Sequence, residues 1–100
     1  MIIVSGTLKT TDQALDALTE PMRRLIEATR QEAGCKVYAF ARDVSEPGLV
    51  RIYEEWDSRE TLTAHTKAAH VGAWHEALDA AGGAAVTLQI VNVASVEAFG

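Results

Sequence analysis

The feature that most constrains this chain of 100 residues is the order of its periodic segments: strand, helix, strand, strand, helix, strand. Ile2 to Leu8 sets Ile2, Val4 and Leu8 at alternating positions, the pattern of a strand with one apolar face. Thr10, with Gln13 three residues on, predicts a helix N-cap. Leu15, Leu18, Met22, Leu25 and Thr29 then recur at steps of three and four, as an amphipathic helix requires. Pro21 removes a backbone donor inside that stripe, which predicts a kink near Thr19–Glu20 or two abutting helices. Gly34 is the expected C-cap. Cys35 to Arg42 alternates again, with Cys35, Val37, Ala39 and Ala41 on one face and Lys36, Tyr38, Phe40 and Arg42 on the other. Apolar bulk on both faces suggests a central strand or one facing a second subunit. Ser45-Glu46-Pro47-Gly48 is a turn into a returning strand, Leu49 to Trp56. Asp57 and Glu60 mark a second capping box, followed by a helix that Gly72 should interrupt and Gly82-Gly83 should end. Val86 to Val96 is the last strand.

This order is the split βαβ, or ferredoxin-like, α+β arrangement: a four-stranded antiparallel sheet with two helices on one face. The length fits one domain over residues 1–100. Helices on one side leave the other face of the sheet apolar, which predicts a homodimer packed through the sheets. A formal net charge of -5, with basic residues scattered no closer than Arg23-Arg24, argues against nucleic acid. No apolar run approaches the ~20 residues of a membrane span, and the N-terminus reads as a strand rather than a signal peptide. The single cysteine, Cys35, excludes an internal disulfide and fits a reducing compartment, so the cytoplasm is the expected location.

The residues with chemical potential gather between Arg51 and Leu78. His65, His70 and His75 are spaced by five and five, and on a regular helix a step of five turns a side chain by ~140°. Metal pairs on a helix use steps of three or four, so no metal site is expected from this spacing. His65 is either a core-edge histidine satisfied by a backbone carbonyl or a polar handle in a cleft. Glu54 and Trp56 share a face with Val50 and Ile52, so Glu54 is expected either to be paired or to line a pocket with a raised pKa. Cys35 reads as a small buried thiol.

Glu32-Ala33-Gly34-Cys35 with Tyr38, then Tyr53-Glu54-Glu55-Trp56, then His65 and His70, carry an E-x-G-C-x-x-Y, E-x-W and H-x-x-x-x-H pattern. In that order and spacing, with Glu46-Pro47-Gly48 between, the chain resembles the antibiotic biosynthesis monooxygenase (ABM) domain family from about Ile2 to Val93. The resemblance implies a dimeric α+β barrel of ferredoxin-like subunits. It also implies a cofactor-independent monooxygenase that oxidises a small aromatic or quinol-like substrate with O₂. The substrate is deprotonated to an anion that itself reduces O₂, while the protein supplies a dry, orienting pocket. His65, Trp56, Tyr38 and Glu54 become candidate catalytic residues, and His70 and Trp74 candidate substrate contacts, with no metal or other cofactor. The same scaffold also serves non-catalytic small-molecule-binding or structural modules. A related haem-degrading branch carries its ligand histidine where this chain has His75, but its first-strand Asn is replaced here by Ser5 or Thr7.

Overall fold

The computed structural model describes every residue from Met1 to Gly100. Strand β1 (Ile2–Lys9) runs between β3 (Leu49–Trp56) and β4 (Ala85–Asn92), antiparallel to both, and β2 (Cys35–Arg42) closes the other edge against β3. The order β2-β3-β1-β4 is the antiparallel ferredoxin-like sheet expected from the element order. Alternation decides which residues enter the core: Val4 and Leu8 of β1 lie inward with Val50, Ile52, Glu54 and Trp56 of β3. Gly6 interrupts that inner row for a steric reason. A Cβ there would sit 1.9 Å from the carbonyl oxygen of Thr87, so only glycine lets β4 approach β1 at this point.

The first helical layer is two abutting helices, α1 (Asp12–Ala17) and α2 (Thr19–Thr29), which meet at Leu18. Pro21 falls in the first turn of α2, where its missing N–H has no helical partner to lose. The cap of α1 is Thr11 rather than Thr10, its hydroxyl accepting from Ala14 N at 3.1 Å. Gly34 does not cap α2, which ends at Thr29, five residues earlier. Its φ of +81° instead turns the chain into β2, and an added Cβ would strike the Thr61 side chain at 2.5 Å.

The second layer is also split, into α3 (Arg59–Thr66) and α4 (Ala69–Ala80). Ser58 and Thr61 form the reciprocal cap of α3, in place of the Asp57–Glu60 pair predicted from sequence. The interruption falls at Lys67–Ala68, not at Gly72, which lies inside α4. The Thr66 hydroxyl bonds back to Thr63 O at 2.6 Å, and the last α3 turn tightens through Lys67 N to Ala64 O before Ala68 adopts an extended conformation.

Two expectations about the sheet change. β2 is an edge strand, not a central one, and a bulge between Cys35 and Val37 puts Cys35 opposite Trp56, on the inner side with Tyr38. The uncovered sheet face is mixed rather than apolar: exposed Tyr53 and Val91 share it with Arg51, Glu55 and Thr87. The largest exposed apolar row lies instead on the inner side of β4, where Val86, Leu88 and Ile90 are 47%, 47% and 43% exposed because neither helical layer reaches them. β4 ends at Asn92, shorter than predicted, and Val96 and Phe99 beyond it are exposed.

Candidate active site

Alternation along β3 places Glu54 and Trp56 side by side beneath the second helical layer. Trp56 is fully buried, and its indole N–H donates to Glu54 Oε1 at 2.9 Å. Glu54 is 5% exposed, and burial raises its carboxyl above the usual range, a shift opposed by the Trp56 N–H and by nearby His65. Glu54 is thus paired, but with its neighbour two residues on in the same strand rather than with the following helix or a neighbouring strand.

His65 comes down onto this pair from the last turn of α3. Its ring lies 4.9 Å from that of Trp56 and meets Tyr38 edge-on at 5.2 Å. Neither a backbone carbonyl nor solvent satisfies Nδ1; Glu32 Oε2 does, at 2.7 Å. His70, in the first turn of α4, places Nε2 2.8 Å from the same oxygen. A carboxylate can only accept, so both facing ring nitrogens carry hydrogen, and the His65 tautomer is thereby set with its proton on Nδ1. His65 Nε2 has no hydrogen-bond partner, and whenever the ring is neutral it is the nitrogen that carries the lone pair.

Glu32 is held for this task by the short connection between α2 and β2. Its N–H bonds to Thr29 O at 3.0 Å, its carbonyl accepts from Cys35, and Gly34 O accepts from Asp57 N at the end of β3. In the sequence Glu32 opens the E-x-G-C motif, which by itself assigns the residue no role. The signal was present in the E-x-G-C spacing, but the partner lies 33 residues away and only the fold joins them. The five-residue histidine step likewise misleads, because the break at Lys67–Ala68 removes the regular helix on which the ~140° separation rests.

His65 forms part of the wall of a cavity of about 470 Å³ between the second helical layer and the inner face of the sheet. Tyr38, Phe40, Glu54, Trp74 and His75 line it with aliphatic side chains, and the half-exposed β4 row forms its open side. This is the size and mainly apolar character of a small-molecule site. Burial, then the charges of Glu54 and Glu32, push the Tyr38 phenol far above its ordinary pKa, so it stays a neutral donor. Burial, then Glu32, also raises the Cys35 thiol, which keeps it unreactive. Of the residues singled out from sequence, Tyr38, Glu54, His65, Trp74 and His75 reach the cavity. Trp56 lies behind it, supporting Glu54 and His65, and His70 stands beside Glu32 off the cavity wall.

The fold and the site together define a ferredoxin-like α+β protein with a mainly apolar pocket, open along β4, and a carboxylate-oriented histidine. Residues 1–77 match the sequence profile of the antibiotic biosynthesis monooxygenases, and the chain belongs to that family. A Deinococcus radiodurans protein grouped with these monooxygenases has a crystal structure that superposes with a TM-score of 0.90 at 27% identity, covering all of both chains. Another antibiotic biosynthesis monooxygenase structure matches at 0.84 and 26% identity, over 95% of this chain and 100% of that one. An uncharacterised Synechocystis protein is 30% identical over 64 residues, which is 64% of this chain but 44% of that protein's length.

Proposed function

We propose that this chain is a cofactor-independent monooxygenase of phenolic or quinol-type substrates, with the Glu32–His65 dyad as its general base. The observation that carries this reading is that His65, a residue of the cavity wall, has Nδ1 engaged by Glu32 at 2.7 Å, which leaves Nε2 as its nitrogen for proton transfer. Nε2 takes the substrate hydroxyl proton, and Glu32 stabilises the imidazolium that forms. Tyr38 donates to the phenolate oxygen, and the apolar walls withhold competing water. The electron-rich anion then reduces O₂, the new C–O bond forms at a ring carbon bearing hydrogen, and the resulting hydroperoxide loses water to leave a carbonyl. One O₂ and one phenol thus give one quinone and one water. Phe40 and Trp74, packed edge-on at 6.1 Å, supply aromatic surface for a planar ring.

Oxygen uptake and quinone formation with a panel of naphthols and hydroquinones test the reading. His65→Ala is expected to lower kcat by ~10²–10⁴ with a much smaller change in KM. Wild-type turnover no faster than buffer for every member of the panel contradicts it and favours a binding module of the same fold. The active form in this proposal is a homodimer, in which a second copy covers apolar surface such as the β4 row. Light scattering is expected to give about twice the 10.8 kDa chain mass; a monomer at micromolar concentration contradicts the dimer.

A further inference from the structure

Beside the cavity, where Glu32 and His70 join His65 but do not line the wall, three ligand atoms from three segments converge. Glu32 Oε2, His65 Nδ1 and His70 Nε2 all lie within 4.8 Å of one another, and both imidazoles reach the same carboxylate oxygen. The cluster is only partly shielded: the His65 side chain is 7% exposed, that of Glu32 17% and that of His70 27%. Ligands are thus fixed by the fold while one side stays open to solvent.

We infer that Glu32, His65 and His70 form a binding site for a borderline divalent transition-metal ion such as Zn²⁺. Two imidazoles and one carboxylate are a donor set suited to such ions, with further positions left for water. Bond lengths of ~2.0–2.2 Å in a tetrahedron place ligand atoms ~3.3–3.5 Å apart. The carboxylate oxygen must therefore withdraw by roughly half an ångström from each imidazole while the two nitrogens draw together, within the same bond geometry. Binding also moves protons within each ring. The metal takes the lone pair at Nδ1 of His65 and at Nε2 of His70, so each neutral ring carries its hydrogen on the other nitrogen. His65 Nε2 then presents a donor to the cavity in place of an acceptor. This last consequence rests on the proposed base and makes the ion a switch that silences proton abstraction; the binding itself does not depend on that reading.

Calorimetric titration of the metal-free full-length chain with Zn²⁺, and Co²⁺ titration followed by visible absorbance, test the site. One ion per chain is expected, with Kd on the order of 10 µM or tighter. His70→Ala and Glu32→Gln should each weaken binding at least tenfold, while His75→Ala should leave it within twofold. Saturable binding absent below about 1 mM, equal affinity in His70→Ala, or loss in His75→Ala would each overturn the site. His70 is the most exposed of the three, and circular dichroism of His70→Ala separates lost binding from lost folding. Turnover by the metal-free protein, compared with His65→Ala, reports on the base alone. A failed titration with intact turnover therefore removes the metal site and leaves the proposed function standing.

Discussion

Replacing Trp56 with phenylalanine removes the indole N–H that Glu54 accepts while keeping an aromatic ring in the core. Both side chains are buried, Trp56 completely and Glu54 to 5% exposure, so water does not replace the lost donor. A hydrogen bond to a charged group contributes roughly 1.5–3 kcal/mol, and the smaller ring leaves a void costing ~1 kcal/mol more. The sum, about 2.5–4 kcal/mol, corresponds to a fall in Tm of roughly 10–30 °C for a domain of this size. The penalty has a pH signature. The folded pKa of Glu54 lies above its ordinary 4.5 because burial opposes ionisation. Stability from a raised carboxyl is fully present below the unfolded value and is lost as pH rises through the folded one. Removing the N–H that favours the anion raises the folded pKa further, so Trp56→Phe should lose more stability at neutral pH than near pH 4. Urea unfolding followed by far-ultraviolet circular dichroism at both pH values, with Glu54→Gln and the double variant, measures this directly. In the Glu54→Gln background the pH dependence of the Trp56→Phe penalty should vanish. A penalty that is the same at both pH values in the wild-type background would refute the coupling.

Gly6→Ala should destabilise the chain by about 1–3 kcal/mol through overpacking, because its Cβ meets the Thr87 backbone rather than a side chain that can move; an unchanged Tm would show that β4 can retreat freely. Gly72→Ala should stabilise by roughly 0.5–1 kcal/mol, since the position is helical, has a negative φ and meets nothing within 4 Å. Trp74→Ala should enlarge the cavity and shift turnover toward larger ring systems, seen as a lowered KM for tricyclic over monocyclic phenols; uniform loss across ring sizes would remove Trp74 from the wall. Asp12→Asn should lower stability at neutral pH but have little effect well below pH 3.8. The Gly48 N–H and then Arg42 hold that carboxyl below its ordinary value, and the stability is lost as pH falls through the folded pKa.

The strand and helix order was readable because period-two and period-3.6 patterns report directly on which residues a sheet and its covering helices bury. Ile2, Val4 and Leu8, or Val50, Ile52 and Trp56, enter the core as their alternation demands. Helix ends were less legible. Thr10 competes with Thr11, and Asp57 with Ser58, for the same capping role, and the choice depends on backbone angles that the sequence does not display. The α3–α4 break carries no glycine or proline and arises where the Thr66 side chain and a tightened last turn end α3. That break decides the site, since it brings His65 and His70 to one oxygen of Glu32. The bulge at Cys35–Val37 similarly overturns a simple alternation and puts Cys35 inward. Motif spacing located Tyr38, Glu54 and His65, but the dyad joins residues 33 positions apart and needed the sheet and both helical layers to close.

Anaerobic binding of a chromogenic naphthol, followed by absorbance with metal ions chelated, tests most directly whether the Glu32–His65 dyad ionises bound substrate. The naphtholate band should appear on binding to the wild-type protein at a pH well below the free ligand's own pKa, and it should be absent with His65→Ala and strongly reduced with Glu32→Gln. A ligand bound in its neutral form by the wild-type protein, or ionised equally by all three, would contradict the dyad as the base.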